Sequence, residues 1–238
     1  MYRYFYRFSV LLISLAFALL FVACGEDGSN NDNGFLDISV CDPANGPFSL
    51  AITNPWLPFS VGNQWILEGE EEGAALRLQI TVLAETEEVA GVTTRVVEER
   101  EWEDDELIEV SRNFFVQAPD GTVCYYGEDV DIYEGGNIVS HNGAWRAGDG
   151  NSPGIMMPAD PQVGMRYKQE VAPGVAEDEA EIIAIGEPFM VPAGTFENTL
   201  LTSETTPLEP GAVSEKRYAF DTGLIVDDVV ELTEFTLP

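Results

Sequence analysis

Basic side chains are scarce in this 238-residue chain: 11 Lys and Arg stand against 42 Asp and Glu, and histidine occurs once. The first scarcity excludes nucleic acid and bare anionic headgroups as partners, because polyanions are held mainly by Lys and Arg. The second leaves only His141 as an imidazole base for a Ser-His or Cys-His enzyme, and His141 sits in a polar turn, Ile138-Val-Ser-His-Asn-Gly143. A Gly-x-Ser-x-Gly elbow, a Walker loop and a Gly-x-Gly-x-x-Gly dinucleotide turn are all missing. Cysteine occurs three times, at 24, 41 and 124, and two thiolates with one histidine fall short of a four-ligand zinc site. The one long apolar run, 10–23, is shorter than the roughly 20 residues that span a bilayer core. Helical periodicity is also missing: no segment of 45–238 reads as an amphipathic helix longer than three turns. No enzyme is expected from this inventory.

What is present begins with a leader. Arg3 and Arg7 precede the apolar run, which ends at Phe21-Val-Ala-Cys24. These four residues resemble the lipobox of bacterial lipoproteins, with Phe21 where that pattern usually has Leu. The resemblance implies removal of residues 1–23, diacylglycerol on Cys24 and a membrane partner through the lipid. Gly25 in place of Asp resembles an outer-membrane sorting signal in cells with two membranes. A plain secretory leader or an uncleaved membrane helix, with Cys24 a bystander, is the alternative. The stretch 25–34 has no apolar side chain to bury, so residues 24–44 are expected to form a flexible acidic tether.

Without the leader's two arginines, 9 basic side chains face 42 acidic ones, a net charge of −33. Such a charge favours a soluble monomer. Once Cys24 is lipidated, Cys41 and Cys124 are left as an even pair in an oxidising compartment, which predicts a bridge; two buried free thiols are the alternative.

Residues 45–238 read as one all-β domain. Leu76, Leu78, Ile80 and Val82 alternate with Arg77, Gln79 and Thr81, as a half-buried strand requires, and similar runs follow to Leu232. Pro119-Asp-Gly121 and Glu103-Asp-Asp-Glu106 supply turns. The domain also repeats itself. Val61-Gly-Asn-Gln-Trp65 and Val163-Gly-Met-Arg-Tyr167 coincide at a shift of 102, and Ala90-Gly91 corresponds to Ala193-Gly194 and Gly121 to Gly223. Two similar halves, about 58–130 and 160–232, are therefore expected. Together they form an antiparallel curved sheet or barrel of about ten strands, a pseudo-duplicated meander. The Pro- and Gly-rich connection 149–161 should cross an end of the sheet without becoming a central strand.

The runs Asn54-Pro-Trp-Leu-Pro58, Tyr125-Tyr-Gly-Glu-Asp129, Pro153-Gly-Ile-Met-Met-Pro158 and Val191-Pro-Ala-Gly-Thr-Phe196 resemble a family of bacterial exported and lipid-anchored β proteins with no assigned activity. The resemblance covers most of 54–230 and implies a curved antiparallel sheet and no function. Two candidate sites come from the residues themselves. Trp65, Trp145, Met156 and Tyr167 would line an inner space, either as filled core or around an apolar ligand. Glu128, Asp129 and Asp131 read first as a solvated acidic face, and their hard oxygens would suit calcium as the alternative; no other cofactor is implied. The expected role is a non-enzymatic binding module of the cell envelope, with an apolar-ligand carrier and a calcium-binding surface protein as alternatives.

Overall fold

The computed structural model describes residues 34–237, so the leader, Cys24 and the stretch to Asn33 lie outside the described residues. Two short 3-10 turns, Ile38–Cys41 and Pro43–Asn45, come first, and everything after them is strand and loop. The first half holds β1 (Gln64–Glu71), β2 (Ala74–Val89), β3 (Val92–Glu103), β4 (Glu106–Gln117) and β5 (Val123–Glu134). The connection carries β6 (Asn137–Ser140), β7 (Trp145–Arg146) and β8 (Gly154–Met157). The second half holds β9 (Arg166–Lys168), β10 (Glu179–Val191), β11 (Gly194–Thr205), β12 (Ser214–Ala219), β13 (Gly223–Asp227) and β14 (Val230–Thr236).

All fourteen strands belong to one antiparallel sheet in the order β6-β5-β4-β3-β2-β1-β14-β13-β12-β11-β10-β9, with β7 and β8 also on β5. The sheet is curved and open. Local chemistry explains the meander. Two-residue loops join β1–β2, β2–β3, β3–β4 and β5–β6, and both central residues of each have positive φ (Glu72 and Gly73, Ala90 and Gly91, Asp104 and Asp105, Gly135 and Gly136). That is the type I′ geometry whose twist suits a hairpin.

The two halves follow the same strand order, β5 to β1 and β13 to β9, with β14 inserted between them. Matching backbone bonds recur in both. Gly62 N–H donates to Val82 O and Val82 N–H to Asn63 O; Gly164 N–H donates to Ile182 O and Ile182 N–H to Met165 O. The Thr94 hydroxyl donates to Glu87 O at 2.9 Å, and the Thr199 hydroxyl to Glu187 O at 2.7 Å. Trp65 and Tyr167 are both sealed from solvent.

Three features differ from the sequence reading. The chain is ordered before residue 45: Leu36 N–H donates to Arg166 O at 2.7 Å, and Cys41 is buried. The disulfide Cys41–Cys124, with Cα atoms 5.6 Å apart, fastens this segment to β5. Fourteen strands stand where about ten were expected, because the connection adds three short ones and the second half has six rather than five, and β8 lies inside the Pro- and Gly-rich stretch. Tertiary contacts rather than composition hold β8: it pairs with β5, Ser152 beside it bridges Val171, and Gly154 packs so close to Gln169 that a Cβ would stand 2.0 Å from the Gln169 carbonyl. The connection thereby spans from β5 to the segment after β9.

Candidate functional site: a recess lined by carboxylates

Residues paired across neighbouring strands share a face, so register alone shows what lines the inside of the curved sheet. Trp65, Leu67, Ile80 and Val82 define the inner face of β1 and β2. Ile80 pairs with Glu99 and Leu78 with Glu101 on β3; Glu101 pairs with Glu109 and Glu99 with Ser111 on β4; Asn113 pairs with Glu128 on β5. One wall of the interior is thus carboxylate. On the opposite wall Thr202 pairs with Lys216, Lys216 with Asp227, and Ala180 with both Glu204 and Tyr167. Glu170 and Asp178 close the recess from the connection after β9.

Few of these charges are neutralised. The Lys216 ammonium lies 3.6 Å from Glu204 and 3.5 Å from Asp227. Glu204 also accepts from the Gln169 amide at 2.9 Å and the Thr202 hydroxyl at 3.3 Å. The Trp145 indole N–H reaches Glu170 at 3.4 Å. The Tyr125 hydroxyl donates to Asn113 Oδ1 at 2.6 Å, and the Asn113 amide donates to Ser111 Oγ at 3.1 Å.

Burial pushes Glu99 up to about 7, with Lys216 opposing and Asp227 and Glu101 adding to the rise. Burial, then the charges of Glu101 and Glu99, raise Glu109 to about 8. Glu170 is lifted to about 7 by burial and by Asp178. Glu101, Glu128 and Glu204 shift upward for the same first reason. Burial alone would lower Lys216, yet Asp227 and Glu204 hold its ammonium well above the ordinary lysine range. Glu99, Glu101, Glu109, Glu128 and Glu170 all keep partial contact with solvent. Deep surroundings with residual access describe a recess, not a sealed core.

The Tyr167 side chain is wholly buried, and its hydroxyl has no hydrogen-bond partner. A partner was the expectation for a buried tyrosine. Burial first, then Glu204, raises its hydroxyl, while Lys216 opposes; both charges face it.

The residues singled out from the sequence scatter. Trp65 is 1% exposed, donates to Thr222 O at 2.8 Å and packs edge-on against Phe59. It belongs to the filled apolar end of the interior, the core alternative of its two readings. Trp145 and Tyr167 do reach the recess, and Met156 approaches it, its sulfur 3.6 Å from the Gln169 amide. Glu128, Asp129 and Asp131 separate: Glu128 faces inward, Asp129 pairs with Arg146 at 2.6 Å, and Asp131 lies 2.9 Å from His141 Nδ1. Strand alternation puts Glu128 on the face opposite the two aspartates, which share the outer face but take different partners. Among the described residues no three Asp, Glu, His or Cys side chains are grouped to hold a metal ion.

Glu99, Glu101, Glu109, Glu204 and Lys216 were not singled out. Their signal was phase: Glu99 and Glu101 alternate in step with Val97, an inner residue. Two open grooves of about 470 and 380 Å³, around Leu201–Arg217 and Arg77–Trp102, lie on the outer face and are not apolar cavities. Neither family models, nor characterised proteins, nor solved structures match the chain.

Proposed function

We propose that the chain is a lipid-anchored protein of the bacterial cell envelope, held through Cys24, whose β domain is a non-enzymatic binding module receiving its ligand in the carboxylate-lined recess. One observation carries the binding role. A fold needs only apolar side chains on its inner face, and replacing buried ionic groups by apolar ones is often neutral or stabilising. Here Glu99, Glu101 and Glu109 occupy that face with the single Lys216 ammonium among them. Groups that oppose folding and stay open to solvent are typical of sites kept for function. An apolar cargo would leave these carboxylates desolvated without partners, so a polar cationic ligand suits the recess better.

The two parts of the reading have separate tests. Glu99→Gln combined with Glu109→Gln should raise the thermal midpoint at pH 8, because each change removes a carboxylate that must ionise in a confined space. A lower midpoint would mean that the charges serve the fold, and the binding role would be abandoned. For the anchor, Cys24→Ser should abolish incorporation of a fatty-acid label; a variant that still takes up label would dismiss Cys24 as the lipidation site.

A further inference from the structure

Resting on that reading, we infer that the recess takes a small organic polyamine, its ammonium groups held between carboxylates of the two walls, with the Tyr167 hydroxyl as an additional acceptor. Three independent observations meet here. The carboxylates are distributed along the walls rather than gathered: Glu101 and Glu109 are neighbours on β3 and β4, while Glu204 and Asp227 stand on β11 and β13. No trio of them is arranged for a bare metal ion among the described residues, so a cation that satisfies several must itself be extended and carry several charges.

The protein already shows how an ammonium is received. Lys216 reaches in from β12 and sits between Glu204 and Asp227 at 3.6 and 3.5 Å. A primary ammonium has the same three donors and the same charge. Among the described residues, the first wall presents Glu99, Glu101, Glu109 and Glu128 with no lysine or arginine paired to them. Glu98, by contrast, points outward and pairs with Arg100 at 2.7 Å.

The third observation is Tyr167. Its hydroxyl is fully buried and lacks any partner, a defect worth correcting in a closed protein and an expected one where a ligand atom completes the pairing. Glu204 and Lys216 act on it directly. The hydroxyl therefore faces the same space as the second-wall carboxylates.

Isothermal titration of the purified full chain with spermidine, against calcium and magnesium chloride at matched ionic strength, tests the inference. Spermidine should bind saturably, and the two metal salts should give only unsaturable heats. At pH 7 binding should also release protons, seen as a heat that depends on the buffer's ionisation enthalpy, because an incoming ammonium ionises Glu99, Glu170 and Glu109. Glu101, Glu128 and Asp178 face the same space, as do Glu204, Lys216, Asp227, Tyr125 and Tyr218, and all contribute to the net count. Glu99→Gln with Glu109→Gln should weaken spermidine at least about tenfold, and Tyr167→Phe about fivefold without loss of folded structure. Equal responses to spermidine and magnesium, or spermidine binding unchanged in these variants, would overturn the inference as mere screening of an acidic surface. If the double variant is stabilised while spermidine fails to bind the parent, the recess stands as a site and the polyamine does not. Should the double variant not fold, Tyr167→Phe and the proton release still decide.

Discussion

Lys216 is 30% exposed in its side chain and stands between Glu204, 8% exposed, and Asp227. Removing it as Lys216→Met leaves both carboxylates facing Glu99 with no counter-charge. The expected loss at pH 8 is about 1–3 kcal/mol, less than for a sealed pair because water reaches the site. The loss should shrink at pH 5, where protonation removes the repulsion. Denaturant titration at the two pH values measures it. The same carboxylates set the pH profile of the parent. Glu99 and Glu170 near 7 and Glu109 near 8 hold protons in the folded state that the unfolded chain, with ordinary glutamates, has already released. The folded state therefore binds more protons between about pH 4.5 and 8, and stability must fall as pH rises through that window. The urea midpoint should be higher at pH 5 than at pH 8, and Glu109→Gln should flatten the upper part of the slope. A midpoint rising with pH would contradict the placement of these side chains. At this scale the sequence was legible where numbers were small: two thiols remained after Cys24, and they are joined. It was opaque where acids were abundant. Glu98 and Glu99 are adjacent, one outside and one inside, and the phase that separates them is blurred because Val96 and Val97 are both buried, so the neighbouring strand's register is needed to fix it.

The elements divide in the same way. The hairpin tips at Ala90-Gly91 and Asp104-Asp105 were readable because a two-residue loop demands residues tolerant of positive φ, and the long alternating run of β2 could be nothing but a strand. β7 and β8 were not readable. Two and four residues long, they exist because β5 offers its outer edge to them and the connection is pinned around them. Gly154 is the clearest pin. Gly154→Ala would drive a methyl group into the Gln169 carbonyl, and either β8 or the segment after β9 must retreat. A loss of about 2–4 kcal/mol is expected, together with faster hydrogen exchange in β8 and at Ser152, whose N–H donates to the Val171 carbonyl. Gly150→Ala, nearby in open space and at positive φ where Gly154 is not, shows by contrast what backbone strain costs without a collision.

For the whole molecule, antiparallel pairing and internal similarity could be anticipated from turn spacing, whereas the open ends could not, because whether a curved sheet closes depends on how its two terminal strands are occupied. β6 and β9 are four and three residues long, too short to complete a barrel. The connection and the ordered N-terminal segment occupy the gap instead. That segment is secured by the bridge across 83 residues, and on the chain-entropy model such a loop stabilises by about 4–5 kcal/mol. Cys41→Ser with Cys124→Ser should lower the unfolding free energy by an amount of that order, measured by denaturant titration under non-reducing conditions. A change under 1 kcal/mol would show that the unfolded chain gains little from the missing link.

The same bridge decides how the molecule bears tension. A pull on its N-terminus first peels residues 34–40, about 25 Å of chain, and breaks the Leu36–Arg166 contact. It then meets Cys41, and the load passes through a covalent bond into the start of β5, where Cys124 is flanked by β4 and β8. The long first-half strands would have to shear together rather than unzip one by one. Under reducing conditions the load would instead travel along the backbone toward β1 and detach the domain from its first strand onward. A tethered domain of this design gives way in a short, soft step and then stiffens abruptly, and a single-molecule extension trace in oxidised and reduced buffer would separate the two regimes.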